Sequence, residues 1–194
     1  MPDQKEGSKE GVLEATEKGR WRLRFERALP HAPERVWRAL TEEERLAAWF
    51  PTTIEGELRA GSLLTFRFRG DEFPPSRGKA LEAEALRVLE FTWGYAEDDT
   101  RIPPEYRDPR PERTRFELEP VGEGCRMIFT TTYDRVGKSA RDAAGWHACF
   151  DLLEAELAGD EGNETSPERW NELSQLYEDR FGPEASSIGA PESR

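Results

Sequence analysis

Cysteine is scarce in this chain: Cys125 and Cys149 are the only 2 in 194 residues. That excludes a disulfide-stapled scaffold, and two reduced core thiols are expected instead. Histidine is as rare. His31 and His147 stand far apart, and no ligand spacing for a metal exists, so none is expected. No apolar run approaches the roughly 20 residues that cross a bilayer. No apolar h-region follows Met1-Pro2-Asp3-Gln4-Lys5, so a cytoplasmic protein is the expectation. There is no phosphate loop, dinucleotide fingerprint or nucleophile elbow, and hence no implied cofactor. Positive charge is in deficit: 28 Lys and Arg against 40 Asp and Glu leave a net charge of −12. Such a surface repels nucleic-acid phosphates and anionic membranes.

What the chain does have is alternation and aromatics. Residues 1–19 are polar and lack periodicity, and read as a flexible arm. Trp21, Leu23 and Phe25 then alternate with charged residues at the period of a half-buried strand. Pro33 suits the first turn of a helix that carries Val36, Trp37 and Leu40. Thr41-Glu42-Glu43-Glu44 reads as a capping box that starts a second short helix, ending before Pro51. Glu55-Gly56-Glu57-Leu58 reads as a weak strand. Leu64, Phe66 and Phe68, then Leu81 and Ala83, then Leu89, Phe91 and Trp93 mark three more strands. Residues 95–111 form a long charged loop in which Glu97-Asp98-Asp99 reads as a solvated cluster. Thr114, Phe116 and Leu118 share one face of the next strand. Cys125, Met127, Phe129, Thr131 and Tyr133 share one face of the strand after it. Ser139 is the expected N-cap of a long helix, with Asp142 in the capping-box position. Trp146, Cys149, Phe150, Leu153 and Leu157 form its apolar stripe, and Gly159 ends it. Ser166-Pro167 opens a last helix, to about Phe181, whose stripe is expected to dock on the same domain. From Gly182 onward the expectation is a disordered tail.

Four stretches together resemble a known family. They are Arg27-Ala28-Leu29-Pro30-His31-Ala32-Pro33-Glu34-Arg35-Val36-Trp37, Leu46-Ala47-Ala48-Trp49-Phe50, Leu89-Glu90-Phe91-Thr92-Trp93, and Gly145-Trp146-His147-Ala148-Cys149-Phe150-Asp151-Leu152-Leu153. In this order and spacing they resemble the START-like (SRPBCC) superfamily, and within it the bacterial proteins related to the activator of heat-shock-protein-90 ATPase. The resemblance spans roughly Trp21 to Gly159. It implies an α+β helix-grip fold: a curved antiparallel sheet wrapped around a long C-terminal helix, with two short helices after the first strand. The organisation expected is an arm over 1–19, a START-like domain over 20–159, and an extension over 160–194.

The resemblance also implies a cavity between sheet and helix that takes a small hydrophobic or amphipathic molecule, such as a lipid. The candidate lining is Trp49, Phe50, Phe68, Trp93, Phe129, Thr131, Tyr133, Trp146 and Phe150, with Trp49 and Phe50 expected at its rim. Thr131 and Tyr133 would be polar handles for the ligand, or else the point where their strand leaves the core. Some relatives are polyketide cyclases or aromatases. For such an enzyme the weak catalytic candidates are His147, with Asp151 one turn later, and Tyr133. A third alternative is a co-chaperone or other interaction module, with a chaperone or a second copy as partner.

Overall fold

The computed structural model describes residues 9–68, 74–95, 102–104, 107, 109–160, 162 and 164–189. The strands are β1 (Val12–Ala15), β2 (Trp21–Leu29), β3 (Thr52–Glu55), β4 (Leu63–Phe68), β5 (Ser76–Glu84), β6 (Val88–Gly94), β7 (Glu112–Val121) and β8 (Gly124–Tyr133). The helices are α1 (Pro33–Thr41), α2 (Glu43–Trp49), α3 (Ser139–Ala158) and α4 (Pro167–Phe181). All eight strands join one antiparallel sheet in the order β1-β2-β8-β7-β6-β5-β4-β3. From β3 to β8 every strand lies beside the one before it. The chain must instead travel from β2 to β3 across the full width of the sheet, and α1 and α2 make that crossing.

The sheet's concave face is set by strict alternation. Phe25 and Phe116 both stand opposite Phe129, and Leu89 stands opposite Phe116. Each of these four is at most 2% exposed. A face this apolar is stable only when covered, and α3 covers it. Burying a side chain of this size contributes roughly 1.5–3 kcal/mol. α3 is buried around most of its circumference, through Ala140, Ala143, Trp146, His147, Phe150, Leu153 and Leu157. Its second side is taken by α4, whose Leu173 and Tyr177 are 1% and 0% exposed. α4 therefore docks on its own domain, while Trp170 stays 38% exposed.

Several expectations need correction. The presumed arm is ordered from Lys9: Val12–Ala15 pairs antiparallel with β2 and supplies the edge strand. Four residues are too few for a visible period, and their order comes from partners distant in sequence. Gly11 N–H donates to Tyr177 Oη at 2.8 Å, and Arg27 donates to the Lys9 carbonyl. The weak strand lies earlier than expected, at Thr52–Glu55, where β-branched side chains run together. Gly56 ends it with φ 117°, and a Cβ there would sit 2.5 Å from the Leu63 carbonyl oxygen. In β5 a register shift between Ala80 and Glu82 makes Ala80, not Leu81, the fully buried residue. Neither expected capping box forms. Thr41 Oγ1 donates back to the Trp37 carbonyl, and Ser139 Oγ accepts from the Tyr133 hydroxyl. Ser166 does cap α4, accepting from Arg169 N–H, and Gly159 closes α3 with φ 90°. The tail is ordered to Gly189. Ala185 is 1% exposed, Ile188 N–H donates to the Gly137 carbonyl, and Arg141 donates to the Gly189 carbonyl. The cluster Glu97-Asp98-Asp99 lies outside the described residues. Cys125 is a buried free thiol, and Cys149 is half-buried.

Tyr177 Oη is the point where β1, α3 and α4 meet. Tyr177→Phe should lower stability by about 1–3 kcal/mol, because it leaves the buried Gly11 amide and His147 without a partner. Denaturant unfolding measures the loss. Hydrogen exchange at Gly11 should accelerate more than exchange in the central strands.

Candidate functional site

The concave face carries one continuous aromatic cluster. Trp146 of α3 lies over Phe129 with ring centroids 4.4 Å apart, and its plane stacks on Phe150 at 23°. Phe50 packs 5.7 Å from Trp146, and Trp49 packs 5.3 Å from Phe50. The expected rim position of Trp49 and Phe50 is therefore wrong: both are 1% exposed. Trp49 Nε1 donates to the Ala39 carbonyl at 2.8 Å, which ties α2 to α1. Trp49, Phe129 and Phe150 belong to the core that holds helix to sheet.

The remaining aromatics gather near the start of α3. Trp93 of β6 lies within 5.3–6.3 Å of Phe50, Phe66, Phe68 and Trp146, and is stacked with Phe68 at 24°. The glycine opposite makes this possible. A Cβ on Gly78 would sit 1.7 Å from the Thr92 carbonyl oxygen and 3.0 Å from the Phe66 ring. Among the described residues, Trp93 Nε1 is buried and has no hydrogen-bond partner, unlike Trp49 Nε1, and the same holds for the buried hydroxyls of Thr52 and Ser76.

Thr131 and Tyr133 were the hydroxyls that the sequence singled out, and the structure uses both internally. Thr131 is 1% exposed and pairs across the sheet with Thr114, whose hydroxyl donates at 3.3 Å. Tyr133 is 0% exposed, so its strand does not leave the core there. Its hydroxyl donates to Ser139 Oγ at 2.9 Å, and burial together with Asp142 pushes its pKa up, keeping it neutral. Beside it, Lys138 pairs with Glu112, lies 3.1 Å from Asp142, and sits over the Tyr133 ring. Burial opposes charge on Asp142, but Lys138 and Arg141 outweigh it and hold its pKa below the usual carboxylate range.

His147 is likewise committed. Tyr177 Oη accepts from Gly11 N–H and lies 2.8 Å from His147 Nδ1, to which its proton can donate. With Nδ1 accepting, the ring hydrogen stands on Nε2, 3.6 Å from Asp151 Oδ1. Asp151 in turn accepts from Arg169 of α4 at 2.7 Å. This network joins helices, and no described group offers His147 a reacting proton.

A separate groove of about 250 Å³ opens between α2 and β3, lined by Glu43, Leu46, Thr52, Ile54 and Leu58 among others. Among the described residues no group of three or more acidic, histidine or cysteine side chains could hold a metal ion, and no helix is long and apolar enough to cross a membrane.

One antiparallel sheet gripping one long helix defines a START-like helix-grip protein. Residues 30–158 match the model of the family described as activator of Hsp90 ATPase homolog 1-like protein, and the chain belongs to that family. No curated protein matches the sequence. Among solved structures, CalU16 from Micromonospora echinospora superposes with TM-score 0.66 at 20% identity, over 89% of this chain and 94% of its own. The conserved protein of unknown function EF2215 from Enterococcus faecalis also gives 0.66 at 20%, over 88% and 90%. The Aha1 dimer from Colwellia psychrerythraea gives 0.56 at 21%, over 73% and 98%. At these identities the likenesses establish the fold.

Burial lowers the pKa of His147 from 6.5 to about 4. Asp151 and Glu10 favour its charged form, while Arg27 and Arg169 oppose it. The neutral ring is therefore favoured by folding. The contribution is complete above pH 6.5 and fades as pH falls toward 4. At about 1.4 kcal/mol per pK unit it reaches roughly 3–4 kcal/mol. Thermal unfolding between pH 7 and pH 4 should show a steeper loss in the wild type than in His147→Gln. Parallel curves would refute the assignment.

Proposed function

We propose that this protein binds a small hydrophobic or amphipathic molecule in the cytoplasm, between sheet and α3 at the end where α3 begins. The observation that supports this most is the Trp93 indole: aromatic rings pack around it, yet its buried N–H has no partner among the described residues. A buried donor left unpaired costs about 1–3 kcal/mol. A ligand that accepts from it recovers that cost and adds burial against Phe50, Phe68 and Trp146, at roughly 25 cal/mol per Å². Trp93, Phe68, Phe50 and Trp146 are the binding residues under this reading, with Thr131 and Tyr133 serving the fold.

The cyclase reading is weaker, because His147 and Tyr133 both spend their polar atoms on internal partners. The family description, and the dimer formed by the Colwellia Aha1 protein, favour an interaction module as the second reading. A change in chaperone ATPase rate on adding this protein would support it.

Native mass spectrometry decides the first reading. The protein, equilibrated with cell extract and re-isolated, should carry a small-molecule adduct that is lost on denaturation. Phe68→Ala, at a half-buried position at the end of β4, should reduce the adduct while leaving a folded chain. If no adduct survives re-isolation from any extract, ligand binding is excluded.

A further inference from the structure

The groove between α2 and β3 is built on a free edge of the sheet. β3 is the last strand in the order, and among the described residues only β4 pairs with it. Every second residue of such a strand turns its N–H and C=O away from the sheet, a template for another strand. Thr52 and Ile54 face the concave side and Thr53 the convex side. All three line the groove, while no described residue of β4 does. The groove therefore runs along the open edge, not beneath the sheet. Its wall is apolar: Leu46 of α2 is 6% exposed, and Ile54 and Leu58 are half-buried against the core. The Thr52 hydroxyl lies in the same wall, buried and without a hydrogen-bond partner among the described residues. The surroundings are acidic. Glu55 pairs with Arg67, Glu57 with Arg59, and Glu42 with Arg38 and Arg45. Glu43 and Glu44 are exposed and pair with no described residue, and Glu43 lines the groove.

We propose that this edge binds an extended basic segment of a partner protein as a ninth strand of the sheet. One aliphatic side chain of the segment enters the groove against Leu46, Ile54 and Leu58, and a lysine or arginine beside it pairs with Glu43. This rests on the interaction-module reading above and not on a ligand at Trp93. None of Phe50, Phe68, Trp93 and Trp146 lines the groove, so the two occupancies are independent. Size, backbone and charge choose the occupant. At about 250 Å³ the groove is smaller than the roughly 300–1,000 Å³ of pockets that enclose a small molecule, and it suits a single side chain. The open backbone of β3 adds main-chain hydrogen bonds, the mode by which extended peptides join a sheet. Charge selects against a second copy of this chain. Pairing β3 with β3 in a symmetric dimer would bring two acidic edges together, like charge against like. A basic strand meets the unpaired carboxylates of Glu43 and Glu44 instead.

A random heptapeptide library displayed on phage and selected on the full chain supplies the probes. Enriched sequences should place Lys or Arg beside Val, Ile or Leu, and the strongest is then synthesised with blocked ends. On titration, amide resonances of residues 43–47 and 52–56 should move, and amide exchange in β3 should slow. N-methylating one alternate set of peptide residues should abolish binding, and N-methylating the other set should preserve it, because only one edge of the peptide faces β3. Glu43→Gln, at an exposed position, should weaken binding about two- to five-fold, the worth of one exposed ion pair. A peptide with norleucine in place of its basic residues should bind the wild type and Glu43→Gln alike. If enriched peptides move only resonances elsewhere, the interaction-module reading stands and this edge is not its surface. If acidic and basic sequences are enriched alike, or both N-methylation patterns are tolerated, a basic added strand is wrong. If no sequence is enriched, the proposal falls.

Discussion

Trp146 against Phe129 is the contact on which the rest of this molecule depends. The two rings lie 4.4 Å apart at the centre of the sheet and near the middle of α3. Phe116 lies 5.0 Å from Phe129, and Phe150 lies 5.0 Å from the same ring. Each tilted or edge-on aromatic pair contributes about 0.5–1.5 kcal/mol beyond its area. Because these contacts link β7, β8 and α3, they fix the height of the helix above the sheet. The crossing made by α1 and α2 is then set by that height. Trp49 and Phe50 extend the cluster toward the β3 edge, so the same interaction orders both short helices.

The two ends of α3 are treated differently, and burial explains the difference. Along its middle and later turns, α3 is enclosed by sheet and α4, and its buried polar side chains there join hydrogen bonds or ion pairs. Tyr177 receives Gly11 and gives to His147, and Asp151 receives Arg169. Lys9, Arg27 and Glu154 extend this network into β1 and β2. Such a network is favourable only when its members are satisfied. It explains why a short edge strand with four residues holds its place. At the beginning of α3 the balance changes. The charges Lys138, Glu112 and Asp142 neutralise one another, while Trp93 Nε1 has no partner among the described residues.

Much of the fold was legible in the sequence, because the concave face obeys a period of two. Leu23 and Phe25, Phe116 and Leu118, and Met127 and Phe129 announce their strands by alternation alone. What escaped was whatever depends on partners far along the chain. β1 and the docked tail have no period, and their order comes from Tyr177, Arg27 and the Gly137 carbonyl. The site was read partly from the wrong signal. Hydroxyls on an apolar strand pointed to Thr131 and Tyr133, yet a hydroxyl's meaning depends on whether its neighbour answers it. Thr114 and Ser139 do so. A run of β-branched residues at Thr52-Thr53-Ile54 was the available sign of β3, and with it of Thr52. The aromatic candidates Phe68, Trp93 and Trp146 were readable because large rings at inward positions must pack together.

Gly78 connects these observations. No side chain fits at that position beside the Thr92 carbonyl, so β5 presents bare backbone where its neighbours present rings. Phe66 and Trp93 close over it, 5.3 Å apart. Filling the gap from within the chain would require a larger residue there, which the backbone forbids. The indole is therefore held in place by packing while its N–H stays unanswered by any described residue. A fold that needed only stability would gain from phenylalanine at position 93, which keeps most of the apolar area and removes the unpaired donor. Retaining tryptophan there costs about the stability of one unpaired buried donor, and that cost is the physical ground on which a ligand-binding reading rests.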